Sequence, residues 1–583
     1  MKKKLMSILL IIVMIITSTH VIYADEEMEF DCKVDEELLN KIGVTYKELI
    51  EGDFKESDDQ FSCVIWLTDV DLTEAIEAGE KAAEYAKQYS PEADSVQVYI
   101  EAKREKTEEL YLEKNRNFVD KYLVQQEESI WYISKYSPCI FVDLTLTEIL
   151  NMLENQEVMC ISNSTKKKDK EWRLLSDTDM TQADIEMCKS IIRADEASDA
   201  YGLTGAGVKI GIIELAYVDE VGVIKKPNQI FSYEPYEYEV WHAYNDYTIL
   251  KSIAPNATYY STGLNEASGD FYEQIEWLLS SGVNVISCSM GSPDYMNQYD
   301  EDTRWIDHIA YNHDVHFVQA AGNQGAAEPY GIICPGMAYN IITVGNSYMT
   351  EPYYRDRKSS YNVEGNDRIE QRASKPDILA PATCTSYATP MVSGAVALLC
   401  HLDPALKTKQ PIMKAILAAG AGARTRNYVT EEANFKKYGA GILDVYASSY
   451  IVAASRYSTS TGIMGTAVGA TKTYNMLVTS SDTRMRVALA YTNRIDMGTN
   501  STTHSTATSA TIPNGTIAEM IVYVVDPQGN VRESIEVNSS TDGCNLKVLE
   551  FDTEGIAGYY QIVVMLVLPA SGSRMTNFGV AWW

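Results

Sequence analysis

The stretch VKIGIIELAYVD (208–219) begins with an apolar run, Ile210 to Ile213, that stops abruptly on a carboxylate, Glu214. Far downstream, KPDILAPATCTSYATPMVSGAVALL (375–399) sets Ser386 ahead of an apolar helical pattern, with Pro390 near its first turn. A serine in that position projects its hydroxyl from a helix start, where the positive dipole end favours developing negative charge. The same position also suits an N-cap serine. A nucleophilic serine needs a base, and the chain has seven histidines. His20 lies in an apolar N-terminal stretch, His401 follows a buried helix and His504 lies in a Ser/Thr-rich loop. His308, His313 and His316 fall on a helix and the strand after it, a change of period that points them apart and argues against a metal cluster. His242, which opens HAYNDYTILKSIAPNATYY, remains. Carboxylate, imidazole and hydroxyl in the order Glu214, His242, Ser386 form a set that can activate a serine. The acid accepts the Nδ1–H, fixes the tautomer and stabilises the cation formed when the imidazole takes the serine proton.

Two further acids compete for the orienting role. If HAYNDYTILKSI is helical, Asp246 lies one turn from His242 on the same face. Asp219 stands five residues past the strand end, an awkward place from which to reach the imidazole. Glu214 is the first choice and Asp246 the alternative. Glu carries the usual group on one more methylene, and a misplacement on that scale costs about 10²-fold in rate.

The elements that must position these groups alternate. VKIGIIE, ATYYST, VNVISCSMG, VHFVQAAGN and NIITVGN are short apolar runs, whereas DFYEQIEWLLSSG, DEDTRWIDHIAYN and TPMVSGAVALLCHL have helical periodicity. Alternation over 185–455 predicts an α/β unit, a mostly parallel sheet flanked by helices, with reactive groups gathered at the carboxyl ends of strands. Residues 25–180 differ. A dense Glu/Lys pattern around YIEAKREKTEELYLEKNRNFVDKYL suits exposed helix faces, and Thr145 with Glu148 makes a capping box between strand-like runs, so a small α+β unit is expected. TKKKDKEWRLL (165–175) reads as an exposed linker or a processing site. Residues 456–583 carry strand patterns separated by Ser/Thr/Gly-rich connections and predict an all-β sandwich or barrel-like domain.

Composition narrows the function classes. With 81 acidic and 49 basic residues the net charge is −32, which disfavours nucleic-acid partners. Lys2–Lys4, the apolar stretch Leu5 to Ile16 and a tail ending at Ala24 read as a secretory signal over 1–24, with no other stretch apolar enough to span a bilayer. The ten cysteines form no CxxC pair, so a metal knuckle or thioredoxin-type site is not expected, and export permits disulfides that sequence alone does not pair.

These blocks together resemble the subtilisin-like serine peptidases. TSYATPMVSGAVALL resembles their nucleophile block, GAGVKIGIIE the strand ending on the orienting acid, and HAYNDYTILKSIAPNA the histidine block. QAAGNQG resembles the oxyanion-hole block and implies Asn323 as a side-chain donor. VISCSMG resembles the strand that pairs with bound peptide and implies Ser289, Met290 and Gly291. Cys384 replaces the family's Gly, Ala243-Tyr244 its Gly-Thr, and Glu214 its Asp. The resemblance implies a secreted serine endopeptidase made as a proenzyme. It also implies protein or peptide substrates, an inhibitory, chaperone-like prodomain over about 60–164, and a C-terminal β-domain. The chemistry needs no cofactor and no metal, and the reading leaves room for structural calcium. The departures keep open a catalytically weak or silent homologue that holds peptides or acts in cell-surface interaction.

Overall fold

The computed structural model describes residues 34–51, 58–164, 172–174, 179–229, 235–264, 270–293, 296–325, 331–362, 374–421, 437–458, 462–464, 469–493, 519–534, 545–568 and 576–583. The expected signal over 1–24, most of the 165–175 linker, Cys32, Cys544 and His504 lie outside them. No helix of the described residues is long and apolar enough to cross a membrane.

The N-terminal unit is a four-stranded antiparallel sheet in the order Ile130–Ile133, Cys139–Thr145, Gln60–Leu67, Val158–Asn163. The strands alternate in the side chains they present, so one face joins a core of its own while the other is left for a partner. Ile65, Val142 and Leu144 pack with Phe118 and Ile149. Val64, Trp66 and Phe141 pack instead on Phe271, Ile275, Trp305 and Ile306, from the helices Asp270–Ser280 and Glu301–Asn312 of the central unit. The expected capping box forms: Thr145 Oγ1 accepts from Glu148 N–H at 3.3 Å, and the Glu148 carboxylate accepts from Thr145 N–H at 2.7 Å.

The charged helix Ser95–Tyr122 departs from the expectation of exposed faces. Arg104 on it is buried, and its guanidinium donates to the carbonyls of Leu279, Val283, His313 and Asp314 at 3.2, 2.8, 2.9 and 2.9 Å. These oxygens end the two helices under the sheet, where backbone carbonyls lack intrahelical donors and the dipole is negative.

The central unit holds a seven-stranded sheet in the order Ile378–Pro381, Ile342–Ser347, His316–Ala320, Val285–Cys288, Lys209–Glu214, Thr258–Gly263, Val223–Lys225. Each strand in it pairs in parallel with its neighbours. Lys209–Glu214 therefore sits inside the sheet with helices over both faces, which accounts for its continuous apolar run. The C-terminal unit is a sandwich of two four-stranded antiparallel sheets around Met476, Val487, Leu489, Val522, Val564 and Phe578. It rests closely on the helix Gln410–Gly420: a Cβ on Gly579 would stand 2.5 Å from the Ile412 Cα, so only glycine fits.

Candidate active site

The acid, the base and the serine meet at the carboxyl end of the sheet. Glu214 closes its strand fully buried, and its Oε2 stands 3.1 Å from His242 Nδ1. Its Oε1 accepts the Ser289 N–H at 3.1 Å. His242 does not open its helix. The helix Glu237–Ile253 begins a turn earlier, with Glu239 capping back to Tyr236, so His242 faces inward from a rigid second turn. Asp246 follows one turn later on the same face, fully buried, and a carboxylate oxygen of Glu214, one of Asp246 and a ring nitrogen of His242 all lie within 4.8 Å of one another. Glu214, rather than Asp246, makes the bond to Nδ1. Asp219 is exposed and pairs with Lys225 at 2.5 Å, away from the site.

The serine also lies inside its helix, which runs Thr385–Leu402 with Cys384 as N-cap. Ser386 is therefore in the first turn rather than at the cap, and Pro390 lies in the helix interior. Pro390 has no N–H to return to the Ser386 carbonyl. Ser289 Oγ–H takes that place at 2.9 Å, while the Ser386 hydroxyl donates to the Ser289 carbonyl at 3.0 Å. The two serines thus lock the Ser289–Gly291 segment to the start of the helix. His242 Nε2 is buried with no hydrogen-bond partner. The Ser386 hydroxyl is turned to the Ser289 carbonyl rather than to this nitrogen, and a nucleophile–base bond is often made only once substrate is bound.

Asn323 follows the strand His316–Ala320, and its Oδ1 accepts both the Thr385 N–H and the Thr385 hydroxyl, at 3.1 and 3.0 Å. With the oxygen fixed, the amide nitrogen has one orientation, and Nδ2 is a buried donor without a hydrogen-bond partner. Sequence reasoning missed three contributors: Thr385, Tyr387 and Asp179. The Tyr387 ring stacks on His242 with centroids 5.3 Å apart, and its hydroxyl donates to Asp179 at 3.3 Å. The stretch TSYATPMVSGAVALL contains Thr385 and Tyr387, but nothing in it marks their roles.

Burial governs the electrostatics. It pushes Glu214 up to about 8 against the opposing pull of Asp246 and the Ser289 N–H. Burial and then the Glu214 charge hold Asp246 well above the carboxylate range. Burial depresses His242, with the charges of Asp246 and Asp179 acting the other way, so the imidazole is neutral and able to take a proton.

The expected peptide strand is already paired. Met290 and Gly291 form an antiparallel ladder with Leu174 and Arg173 of the same chain. Trp172, next in line, is buried and stacks on Phe271 with centroids 4.4 Å apart, in a cluster with Ile213, Leu215 and Leu264. Where an exposed linker was expected, Trp172 is therefore buried and the backbone of residues 173–174 is paired as a strand. The other histidines are engaged elsewhere. His316 Nε2 lies 2.8 Å from the Leu406 carbonyl oxygen, and His401 Nδ1 accepts the Thr204 N–H at 3.1 Å. His308 and His313 do not point apart as expected. Their rings stand 6.1 Å apart because His313 caps the helix instead of entering the strand. The eight described cysteines are buried thiols.

Residues 239–441 match the model of the subtilase family of peptidases. The matched range contains His242, Ser289 to Gly291, Asn323 and Ser386 but begins after Glu214. The chain is 25% identical over 287 residues to subtilisin DY of Bacillus licheniformis, covering 44% of this chain and 96% of that protein. It is 26% identical over 219 residues to pyrolysin of Pyrococcus furiosus, covering 30% of this chain but only 16% of that protein. Among solved structures, the epidermin leader peptide processing serine protease of Staphylococcus aureus is 16% identical with a TM-score of 0.39, over 58% of this chain and 96% of that one.

Proposed function

The central unit of this chain belongs to the subtilase family, and from that premise we propose that the protein is a secreted serine endopeptidase made as a proenzyme. Ser386 Oγ attacks the scissile carbonyl carbon. His242 Nε2 takes the hydroxyl proton and later gives it to the leaving amine. Glu214 accepts the Nδ1–H and stabilises the imidazolium. The tetrahedral oxyanion is met by Asn323 Nδ2 and the Ser386 backbone N–H at the positive end of the helix. Substrate backbone adds as a strand along Ser289, Met290 and Gly291.

The observation that carries this reading is the 3.1 Å contact between Glu214 and His242 Nδ1, beside a buried Asn323 amide whose donors are unused. Residues 25–180 act as propeptide, with Arg173 and Leu174 lying where substrate would pair; their antiparallel ladder with Met290 and Gly291 supports this. Export rests on the basic start and the apolar stretch before Ala24.

The test is covalent labelling with a fluorophosphonate. Labelling of the wild-type chain that disappears in Ser386→Ala is the expected result. Correctly processed protein that takes no label would instead favour a silent peptide-binding homologue, a reading that the Ser386–Ser289 hydrogen bond also suits. Export is checked by finding the Ser386→Ala proenzyme in culture medium with its N-terminus near residue 25.

A further inference from the structure

We propose that Asp246 is a positioning residue that carries a proton and, as a hydrogen-bond donor, holds the Glu214 carboxylate against His242 Nδ1. The proposal rests on the serine peptidase reading and goes beyond it by giving the second acid a duty distinct from orienting the histidine.

The argument begins with geometry. Glu214 and Asp246 are both buried, and their oxygens lie within 4.8 Å of one another and of a His242 ring nitrogen. Two carboxylates at that separation, away from water, do not both ionise, so the pair retains a proton at neutral pH. The hydrogen bonds decide where that proton sits. Each Glu214 oxygen faces a nitrogen: Oε1 accepts the Ser289 amide N–H, and Oε2 faces His242 Nδ1, which bears the ring hydrogen when Nε2 serves as the base. Both contacts favour the ionised form of Glu214. Asp246 Oδ1 is buried without a partner, and the Ser289 hydroxyl beside Asp246 already donates its hydrogen to the Ser386 carbonyl at 2.9 Å. When the pair holds a single proton, that proton therefore belongs to Asp246 and the charge to Glu214, which Asp246 and the Ser289 amide pull down against the burial that lifts it to about 8.

The surroundings leave this division intact. The other titratable groups facing Asp246 are His242 on its own helix, Cys288 on the neighbouring strand and Cys384 at the start of the serine helix; Asp179 faces His242. Burial keeps both thiols protonated, so neither adds charge to the pair. A glutamate on a strand end has one more torsion than an aspartate with which to wander. A donor fixed on a helix one turn past the histidine removes that freedom. This gives a physical reason for glutamate and Asp246 to occur in the same chain.

The proposal distinguishes two substitutions of similar size. Asn supplies an N–H donor in place of the protonated acid, whereas Leu supplies none. Asp246→Asn is expected to lower kcat by less than about tenfold, and Asp246→Leu by about 10²-fold with KM little changed, the cost of a displaced orienting group. A second measurement does not depend on activity. In the full chain carrying Ser386→Ala and carboxyl-¹³C aspartate, one resonance at neutral pH should have the shift of a protonated acid and vanish in Asp246→Asn. An Asn variant as impaired as the Leu variant overturns the proposal, and so does an Asp246 resonance at the ionised position. Failure of the parent chain to label with fluorophosphonate would count against the peptidase reading, whereas the resonance still decides the state of the pair.

Discussion

At the scale of single residues, Asn323 shows how a role depends on a neighbour. Its oxygen is tied twice to Thr385, which leaves the amide hydrogens for an incoming oxyanion. Asn323→Ala is expected to lower kcat by about 10²–10³-fold with a small change in KM, since a donor of this kind acts mainly in the transition state. Steady-state kinetics on a peptide substrate checks the split. Glu214→Asp withdraws the carboxyl from His242 Nδ1 by one methylene and abandons the Ser289 amide. A fall of about 10²-fold in kcat is expected, measured alongside Glu214→Gln, which keeps the length and loses the charge. Glu214, His242 and Ser386 stood out in the sequence because the chemistry demands those residue types, and Asn323 because QAAGNQG resembles an oxyanion-hole block. Thr385 and Tyr387 did not. The task of Thr385 exists only because the helix starts one residue before the serine, and that of Tyr387 only because its ring falls over His242.

At the scale of elements, the apolar runs and helical periods gave the order of strands and helices, because burial on both sheet faces leaves a plain pattern. Helix starts were less legible. The histidine helix begins at Glu237, in a stretch rich in tyrosine and glutamate whose capping acid is set by three-dimensional geometry. Arg104 looked like one more charge on a solvated face, and only the docking of two helix ends against it gives it partners. Trp172 was hidden in a basic stretch and is now an anchor on Phe271. Removing a buried aromatic side chain costs about 3 kcal/mol or more, which corresponds to a ~100-fold loss of occupancy. Trp172→Ala is therefore expected to speed fluorophosphonate labelling of the unprocessed chain markedly. An unchanged labelling rate would show that residues 172–174 do not guard the serine.

At the scale of the whole molecule, the N-terminal unit is joined to the central unit through acids that titrate near neutrality. Glu276 accepts from the Ser134 hydroxyl at 2.5 Å and the Lys135 N–H at 2.9 Å, and Glu301 accepts from Trp66 Nε1–H at 2.5 Å beside Arg304. Burial under the sheet pushes Glu276 up to about 7 and Glu301 up to about 8, with the Arg304 charge opposing the rise at Glu301. Exposed to water, both would titrate in the ordinary carboxylate range. The docked state therefore binds protons that the undocked state has released. Its advantage is full below the ordinary glutamate range and is lost as pH rises through about 7 and then about 8. Docking should weaken toward alkaline pH, and a proenzyme built this way would free its site more readily there. In the full chain with Ser386→Ala, amide exchange in the strand Gln60–Leu67 is expected to quicken as pH rises through that window, after correction for intrinsic exchange. Glu276→Gln together with Glu301→Gln should flatten the dependence, because a neutral amide keeps the shape of the protonated acid and has no proton to lose. A dependence that persists unchanged in the double variant would place the sensitivity in other groups at the junction.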